Sequence, residues 1–414
     1  MRKSQGNKDT NKMKSCKSCG NQNIEVVFDA GQQPITSRYL KSRNEKEELY
    51  SLKLGQCLSC GLVQLMDLVP IQELQLIYEW ISYNEPEGHL DDVVNQLSQL
   101  EGINTESSVL GISYKEDSTL ARFNALGFSK IQRLPIPDTI AANVDAAGVE
   151  VVQNYISNEA FSNSGNDYHY DIILIRHILE HTYDSESFLQ SLKKLAHKNS
   201  YLVFEVPDCS LLFSSCDYTA IWEDHTLYFT PSTFKAFLKN AGFSIVGYHL
   251  YPYPYENCLV IIASVDNGVS EANVSENLDA SRKLMLNYGK NFAKNREIVR
   301  EELQQIKKNF GDIAIFGAGH LATMYVNVFD VADLISFVVD DDQNKRGLFV
   351  PGCRLPIYSS SALLDRGIKY CLTSLSPESE QKVIAANKNF LSSGGIFASI
   401  FPSSPMSFIN LYEN

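Results

Sequence analysis

DIILIRHILEHTYDSESFLQSLKKLAHKNSYLVFEVPD, Asp171 to Asp208, followed after a short gap by IWEDHTLYF, Ile221 to Phe229, decides how this chain folds. The first part reads as strand, turn, helix, strand. Ile172 to Ile175 is an apolar run. Phe188 to Leu195 carries Phe188, Leu189, Leu192 and Leu195 at helical spacing, and Tyr201 to Val206 is a second apolar run. Arg176, His177, Glu180, His181, Glu205 and Asp208 cluster where these strands end. Open α/β sheets bind ligands beyond the carboxyl ends of their strands, so this cluster marks a site as well as a fold.

Working outward, the flanks extend the same pattern. Ser108 to Asp117 reads as a strand and a loop with one glycine, Gly111, and Ser118 to Leu126 as a helix stopped at Gly127. Lys130 to Leu134 is a second strand, ended by Pro135 and Pro137, with Asp138 as the nearest acid. Ile140 to Ala147 reads as a helix and Val149 to Asn154 as a third strand, which makes the opening stretch strands four and five. Downstream, Pro231 to Asn240 is a helix, and Phe243 to Tyr248 with Leu259 to Val265 form an antiparallel hairpin. Asp266 to Asn309 is polar, charged and free of proline. It predicts a long helix with Leu284, Leu286, Phe292, Ile298, Leu303 and Ile306 on its apolar face.

A further α/β unit starts at Asp312. Ile313 to Phe316 is a strand, Gly317-Ala318-Gly319-His320-Leu321-Ala322 is a GxGxxA turn into a helix, and Leu334 to Val339 is the next strand. Asp340 follows 23 residues after Gly317, near the ~20 expected of a ribose-binding acid in a Rossmann-like half. Strands are also expected at Tyr370 to Thr373 and Gly395 to Ala398.

At the other end stand two matched knuckles, Cys16-Lys17-Ser18-Cys19-Gly20 and Cys57-Leu58-Ser59-Cys60-Gly61. Two residues between cysteines let both thiolates face one metal, and the glycine lets the chain turn tightly beneath them. Two such pairs form a closed tetrahedral sulfur shell, which suits structural zinc. The 37 residues between Cys19 and Cys57 require a small hairpin. Cys209, Cys216, Cys258, Cys353 and Cys371 lack this spacing and read as packing residues. His177 and His181, four apart, read as cleft-lining residues.

The chain has 414 residues, 44% of them hydrophobic, enough for two or three cores. A net charge of -13 argues against nucleic-acid and anionic-membrane partners. No apolar run reaches the ~18 residues of a membrane helix. The polar, basic start lacks the apolar core of a signal peptide, and a cytoplasmic location is expected.

The order of parts resembles the three-domain sugar C-methyltransferases, which methylate nucleotide-linked deoxysugars. RHILEH, Arg176 to His181, with FEVPD; WEDHTLYFTPSTF, Trp222 to Phe234; GQQPITSRYL, Gly31 to Leu40; the cysteine knuckles; and FGAGHLAT with GLFVPGCRLPI carry the resemblance. It implies an α/β chain with a loose tail (1–14), a zinc-binding domain (15–75), a Rossmann-like class I methyltransferase domain (76–265), a helical connector (266–310) and a Rossmann-like C-terminal domain (311–414). Zinc would sit on Cys16, Cys19, Cys57 and Cys60. S-adenosylmethionine would be the cofactor and a keto-sugar nucleotide the small-molecule substrate. His225 matches the family's base, which removes a proton next to the sugar's carbonyl. Asp224 stands at the family's glutamate, and Trp222 at its tyrosine, where no hydroxyl remains. Tyr78, in the polar-aromatic loop Tyr78 to Asp92, is a candidate for that hydroxyl, as is Tyr228.

The cofactor loop of the family has the form E-x-G-x-x-x-G. Here Gly111 survives, the acid is absent and Tyr114-Lys115 intrude. Gly111, Asp117, Asp138, Arg176 and His177 are the expected cofactor contacts. Two further readings stay open from sequence: a methyltransferase fold that binds a nucleotide sugar without methylating it, and a dinucleotide-dependent oxidoreductase built on Gly317, Gly319 and Asp340. In the leading reading the C-terminal carboxylates bind ribose, and Lys345 and Arg346 contact phosphate.

Overall fold

The computed structural model describes residues 15–75, 77–78, 80–81, 85–136, 148–158, 169–254, 256–265 and 278–409. Asp138 and the helix expected over Ile140 to Ala147 lie outside them. The N-terminal unit is a hairpin, β1 (Ile24–Pro34) against β2 (Leu49–Cys57), extended by β3 (Val63–Leu65). Its register pairs Ile24 with Cys57, which brings the chain just after the first knuckle beside the second.

The central sheet starts with β4 (Ser108–Gly111), β5 (Lys130–Arg133), β6 (Tyr170–Arg176) and β7 (Ala196–Asp208), all parallel in the order β5-β4-β6-β7. Then β8 (Leu227–Tyr228) leaves this sheet, and β9 (Ser244–Tyr251) and β10 (Asn257–Ser264) complete it as an antiparallel edge. Alternate residues of each strand feed opposite cores, as period two demands. Val109, Ile172, Leu174 and Val203 meet Val93, Val94, Leu97 and Phe123 on one face. Leu110, Ile173, Ile175 and Phe204 meet Phe188, Leu192, Phe234 and Phe237 on the other.

One expectation fails here. Val149 to Asn154 is not a strand but part of a helix, Val149–Ile156. Its valines suggested β structure, yet Val149, Val152 and Ile156 recur at helical spacing and are the buried ones. Packing on one face overrode local propensity. The opening stretch therefore supplies the third and fourth strands, β6 and β7.

The connector is a helix over Leu278–Phe310, with Met285, Tyr288, Asn295, Val299, Leu303 and Ile306 buried. Leu286, expected on this face, is 53% exposed. Leu284, Phe292 and Ile298 are partly buried at its edge. The C-terminal sheet is parallel, in the order β13-β12-β11-β14-β15, from β11 (Ile313–Phe316), β12 (Ile335–Val339), β13 (Ile357–Tyr358), β14 (Tyr370–Thr373) and β15 (Ile396–Ser399). A single core runs through Phe28, Leu54, Tyr218, Tyr288, Leu303 and Ile315, so the connector helix joins the N-terminal hairpin to the C-terminal sheet.

Gly289 permits that contact. A Cβ there would stand 1.8 Å from the Val27 carbonyl oxygen, a backbone atom that cannot swing aside. Gly289→Ala gains helix propensity but must push the connector off β1. We expect a net loss of roughly 1–3 kcal/mol, the usual cost of overpacking, read as a lower thermal midpoint.

Candidate active site and zinc centre

The two knuckles meet. Cys16 Sγ lies 3.4 Å from Cys60 Sγ and Cys19 Sγ 3.6 Å from Cys57 Sγ. All four sulfurs lie within 4.8 Å of one another. Thiolates about 2.3 Å from a tetrahedral zinc stand roughly 3.8 Å apart, so this donor set fits the ion. Gly20 and Gly61 adopt φ of 69° and 78°, the left-handed turn that a knuckle requires and a side chain resists.

The cysteine cluster is tied to the segment around His225 through backbone and side chain. β8, which follows His225 closely, pairs antiparallel with β3 through Val63–Tyr228 and Gln64–Leu227. The Leu65 amide donates to the Thr226 carbonyl at 3.0 Å. Lys17, inside the first knuckle, donates from Nζ to the Thr182 carbonyl, to the Tyr183 carbonyl at 2.9 Å and to Thr226 Oγ1 at 3.3 Å. Its acceptors flank His181 on one side and His225 on the other. Burial lowers the Lys17 pKa to about 7.

Two cavities open beyond the carboxyl ends of β4, β6 and β7. The first, about 530 Å³, is lined by Glu85, Lys115, Glu150, His177, Glu180, His181, Trp222, Asp224, His225 and Glu256 among others. The second, about 1060 Å³, shares Glu85, Tyr114, Lys115, His177 and Glu256 and extends along Asp117, Arg176 and Cys258. Ser376 and Ser379 of the C-terminal unit line both.

His225 sits in the first cavity, its ring 4.6 Å from that of His181 at 82°. Burial lowers its pKa to about 4, against the charges of Glu180 and Glu85 and with those of Lys115 and His177, so it is neutral at pH 7. Burial likewise keeps His181 well below the ordinary range. Asp224 Oδ2 lies 3.7 Å from His181 Nδ1. Its carboxyl pKa is raised well above the usual value by burial and by the charges of Glu223 and Glu150. Tyr78 lines neither cavity. Its hydroxyl donates to the Tyr39 carbonyl at 3.0 Å and its ring packs on Trp80. The Tyr228 hydroxyl donates to the Trp222 carbonyl at 2.9 Å and accepts from the Trp222 amide at 3.1 Å, clasping the turn that carries His225.

The expected cofactor contacts divide. A Cβ on Gly111 would meet Glu116 Cβ at 2.8 Å and Leu120 Cδ1 at 2.9 Å, so this glycine makes room for the chain's own next turn. Glu116 is wholly buried and accepts from the Ser113 amide and hydroxyl at 2.6 and 2.8 Å and from the Arg176 amide at 2.6 Å. Tyr114 and Lys115 thereby face the cavities. Asp117 lines the larger cavity and pairs with Arg133 at 2.9 Å. Arg176 forms a bidentate pair with Glu205 at 2.7 and 2.9 Å and donates to the Lys115 carbonyl at 2.6 Å. His177 lines both cavities in a left-handed conformation, φ 46°. Its amide bonds the Glu205 carbonyl at 2.9 Å and its Nε2 lies 3.1 Å from Glu205 Oε1. Burial opposes its charge, but Glu85, Glu180 and Glu205 raise its pKa well above the ordinary value.

Reading the sequence missed Glu85, Lys115, Glu150 and Lys17 as site residues. Lys115 had a signal, its place after the first strand of the central sheet. Glu150 was hidden by the strand assignment, and Lys17 by its place in a metal knuckle. In the C-terminal unit Asp340 is consumed internally. Its Oδ2 accepts from the Ala318 amide at 2.8 Å and from Lys345 Nζ at 2.9 Å, and its Oδ1 from the Asp342 amide at 2.9 Å. That leaves neither the acid nor Lys345 poised as a bare ribose or phosphate contact. His320, in the glycine turn, stacks on Trp222 with centroids 3.5 Å apart at 6°. Thr36 joins this pair to Glu223, with its amide 2.6 Å and its hydroxyl 2.9 Å from Glu223 Oε1 and the hydroxyl 2.9 Å from His320 Nδ1.

Family models match three consecutive segments: "Putative zinc binding domain" over residues 16–74, "Methyltransferase domain" over 72–248 and "C-methyltransferase C-terminal domain" over 265–402. The C-methyltransferase NovU of Streptomyces niveus is 21% identical over 397 residues, covering 92% of this chain and 94% of that protein. Among solved structures, the 1,6-didemethyltoxoflavin-N1-methyltransferase of Burkholderia thailandensis is 15% identical over 44% of this chain and 80% of its own, with a TM-score of 0.32. The magnesium protoporphyrin IX methyltransferase of Synechocystis PCC 6803 is 15% identical over 45% and 90%, with a TM-score of 0.31. Likenesses that partial bear on no assignment.

Cys57→Ser removes one of four thiolates and should reduce bound zinc from about one per chain to a trace, measured by elemental analysis. A folded, metal-free wild type would refute the centre. Lys17→Met should retain the zinc but lose roughly 1–3 kcal/mol of stability, because it strands buried carbonyls.

Proposed function

This chain belongs to the three-domain C-methyltransferases, and we propose that His225 deprotonates a carbon beside the carbonyl of a nucleotide-linked keto-deoxysugar, which is then methylated. The observation that carries this reading is a neutral imidazole in the 530 Å³ cavity, beyond the strand ends of the central sheet. A general base must be unprotonated at working pH and within reach of the proton. Lowered to about 4, His225 meets the first condition across the neutral range. Its place in the 530 Å³ cavity, beside His181 and Asp224, supports the second.

The cofactor fits the charge of the site. Glu85, Glu150, Glu180, Asp224 and Glu256 line the first cavity against the cations Lys115 and His177. Burial would favour a neutral Glu85, but His177 and Lys115 hold its pKa down to about 2. A carboxylate such as Glu85, held ionised in a low-dielectric cleft, favours a sulfonium cation over its neutral thioether product. Glu85, Asp117, Arg176 and His177 would hold S-adenosylmethionine, with Arg176 acting chiefly by fixing the loop at Lys115. Bound there, the cofactor supplies an electrophilic methyl group to the substrate carbon and leaves as S-adenosylhomocysteine. The nucleotide end of the substrate has room in a third cavity of about 390 Å³, lined by Thr36, Tyr39, Trp80, Trp222, His320 and Lys345. It shares Thr36 and Trp222 with the first cavity, so one extended ligand would span both.

His225→Asn should lower methyl transfer by about 10²–10⁴-fold while leaving S-adenosylhomocysteine affinity within about threefold by calorimetry. A matched loss of both would make His225 structural. In the wild type, protonation of His225 removes the base. The acid limb of kcat should therefore lie near pH 4, below the range of an ordinary histidine. A limb between pH 6 and 7 would point to another base.

A further inference from the structure

Removing a proton beside a carbonyl places negative charge on the carbonyl oxygen, and something in the cavity must hold it. We propose that Lys115 is a further catalytic residue, whose ammonium donates to that oxygen as it becomes an enolate; this rests on the deprotonation assigned to His225.

The candidates narrow by their existing bonds. Trp222 carries no hydroxyl. The hydroxyls of Tyr228 and Tyr78 are used by the Trp222 and Tyr39 carbonyls. The guanidinium of Arg176 is committed to Glu205 and the Lys115 carbonyl. His177 has Nε2 at 3.1 Å from Glu205 and Nδ1 at 3.4 Å from Glu180. Lys115 differs from these. Its ammonium has three N–H groups, and among the described residues one acceptor is placed on them, Glu85 Oε1 at 2.6 Å. Its side chain is 8% exposed, and the residue lines both the 530 and the 1060 Å³ cavities. Donors without acceptors are costly at that burial, and a substrate oxygen would satisfy them.

Its position is also fixed in advance. Lys115 lies in a single 3-10 turn, Tyr114–Glu116, closed by the reciprocal bonds of Ser113 and Glu116. Its carbonyl is held by Arg176 at 2.6 Å. A donor that needs no reorganisation, in a cavity of low dielectric, is the arrangement that stabilises developing charge most. Burial opposes its charge, but Glu85 keeps its pKa above that of an ordinary lysine, so it acts as a fixed cation and not as an acid.

The step balances as follows. The C–H proton moves to His225, and the C–H electron pair becomes the carbon–carbon double bond. The carbonyl π pair moves onto oxygen, which lies against the Lys115 ammonium. The carbon–carbon double-bond pair would then form the bond to the cofactor's methyl group, whose bond to sulfur would break with its pair left on the departing thioether, while a pair from oxygen restores the carbonyl. His225 then loses its proton to solvent.

The test separates proton removal from methyl transfer. Full-length zinc-loaded enzyme is incubated in D₂O with S-adenosylhomocysteine and thymidine-diphosphate 4-keto-6-deoxyglucose, and exchange beside the carbonyl is followed by mass spectrometry. Lys115→Met should slow exchange by about 10²–10³-fold, and Lys115→Arg should recover part of it. S-adenosylhomocysteine affinity should stay within about threefold. Because Lys115→Met takes from Glu85 its nearest cation, Lys115→Met/Glu85→Gln is measured beside it and should show the same loss in a folded protein. Unchanged exchange with weakened S-adenosylhomocysteine binding would make Lys115 a cofactor contact and overturn the proposal. So would loss of exchange in Tyr114→Phe with Lys115→Met unaffected. If the wild type neither exchanges nor methylates, the deprotonation reading itself falls; if it does both and Lys115→Met matches it, only the role of Lys115 falls.

Discussion

The pairing of β8 with β3 is the contact on which the arrangement of this site depends. Leu227 and Tyr228 leave the central sheet and bond instead to the edge strand of the zinc unit. A strand edge offers unpaired N–H and C=O groups, and covering it satisfies both partners. The segment just before it carries Trp222, Asp224 and His225 over the ends of β6 and β7. Thr226 then knits it to the turn after β6, with its amide 2.7 Å from the Glu180 carbonyl and its hydroxyl 2.7 Å from that of Thr182. Lys17 adds a second donor to the Thr182 carbonyl, and one to that of Tyr183, from within a zinc knuckle. Through these bonds the cysteine unit holds the segment that carries His225 against the one that carries His181.

The charges in the cavity follow from this geometry. Seven acids, Glu85, Glu150, Glu180, Glu205, Glu223, Asp224 and Glu256, stand at or just behind its wall, against Lys115, Arg176 and His177. Such an excess of carboxylates is unfavourable when buried, and the structure relieves it unequally. Glu205 is neutralised by Arg176 and two histidines, while Glu256 is pushed up to about 8 by burial and by the neighbouring charge of Glu85. The two imidazoles end in opposite states. His177, between three carboxylates, is held cationic, and His225 is held neutral chiefly by burial, against the charges of Glu180 and Glu85. One group is thereby fitted to hold charge and the other to accept a proton.

Much of the scaffold was legible because its signals are local. The cysteine knuckles carry their chemistry in their spacing, and the continuous apolar runs of β6, β7 and β11 announce buried parallel strands. Local reasoning failed where two patterns overlap. Val149 to Ile156 is rich in β-branched residues, but a helix buries them on one face. The connector was recognised as a helix, and its buried stripe differed at Leu286 because the contact that orients it, Gly289 against Val27, joins residues far apart in sequence. Tyr78 was a candidate by position, and its hydroxyl turned out to serve Tyr39.

By itself, the sequence pointed to the three α/β or zinc units and the four thiolate ligands, and through the family resemblance to His225 as the candidate base. These rest on residue type and short spacings, which hold in any compact fold of the chain. Only the tertiary structure decided what surrounds that base. It brought Lys115 from the turn after β4 and Glu85 from the loop before the helix Leu90–Ser98 into one ion pair, and it set Trp222 on His320 of the C-terminal unit. Charge, burial and donor availability depend on distances between segments, and those are fixed only when the sheets have packed.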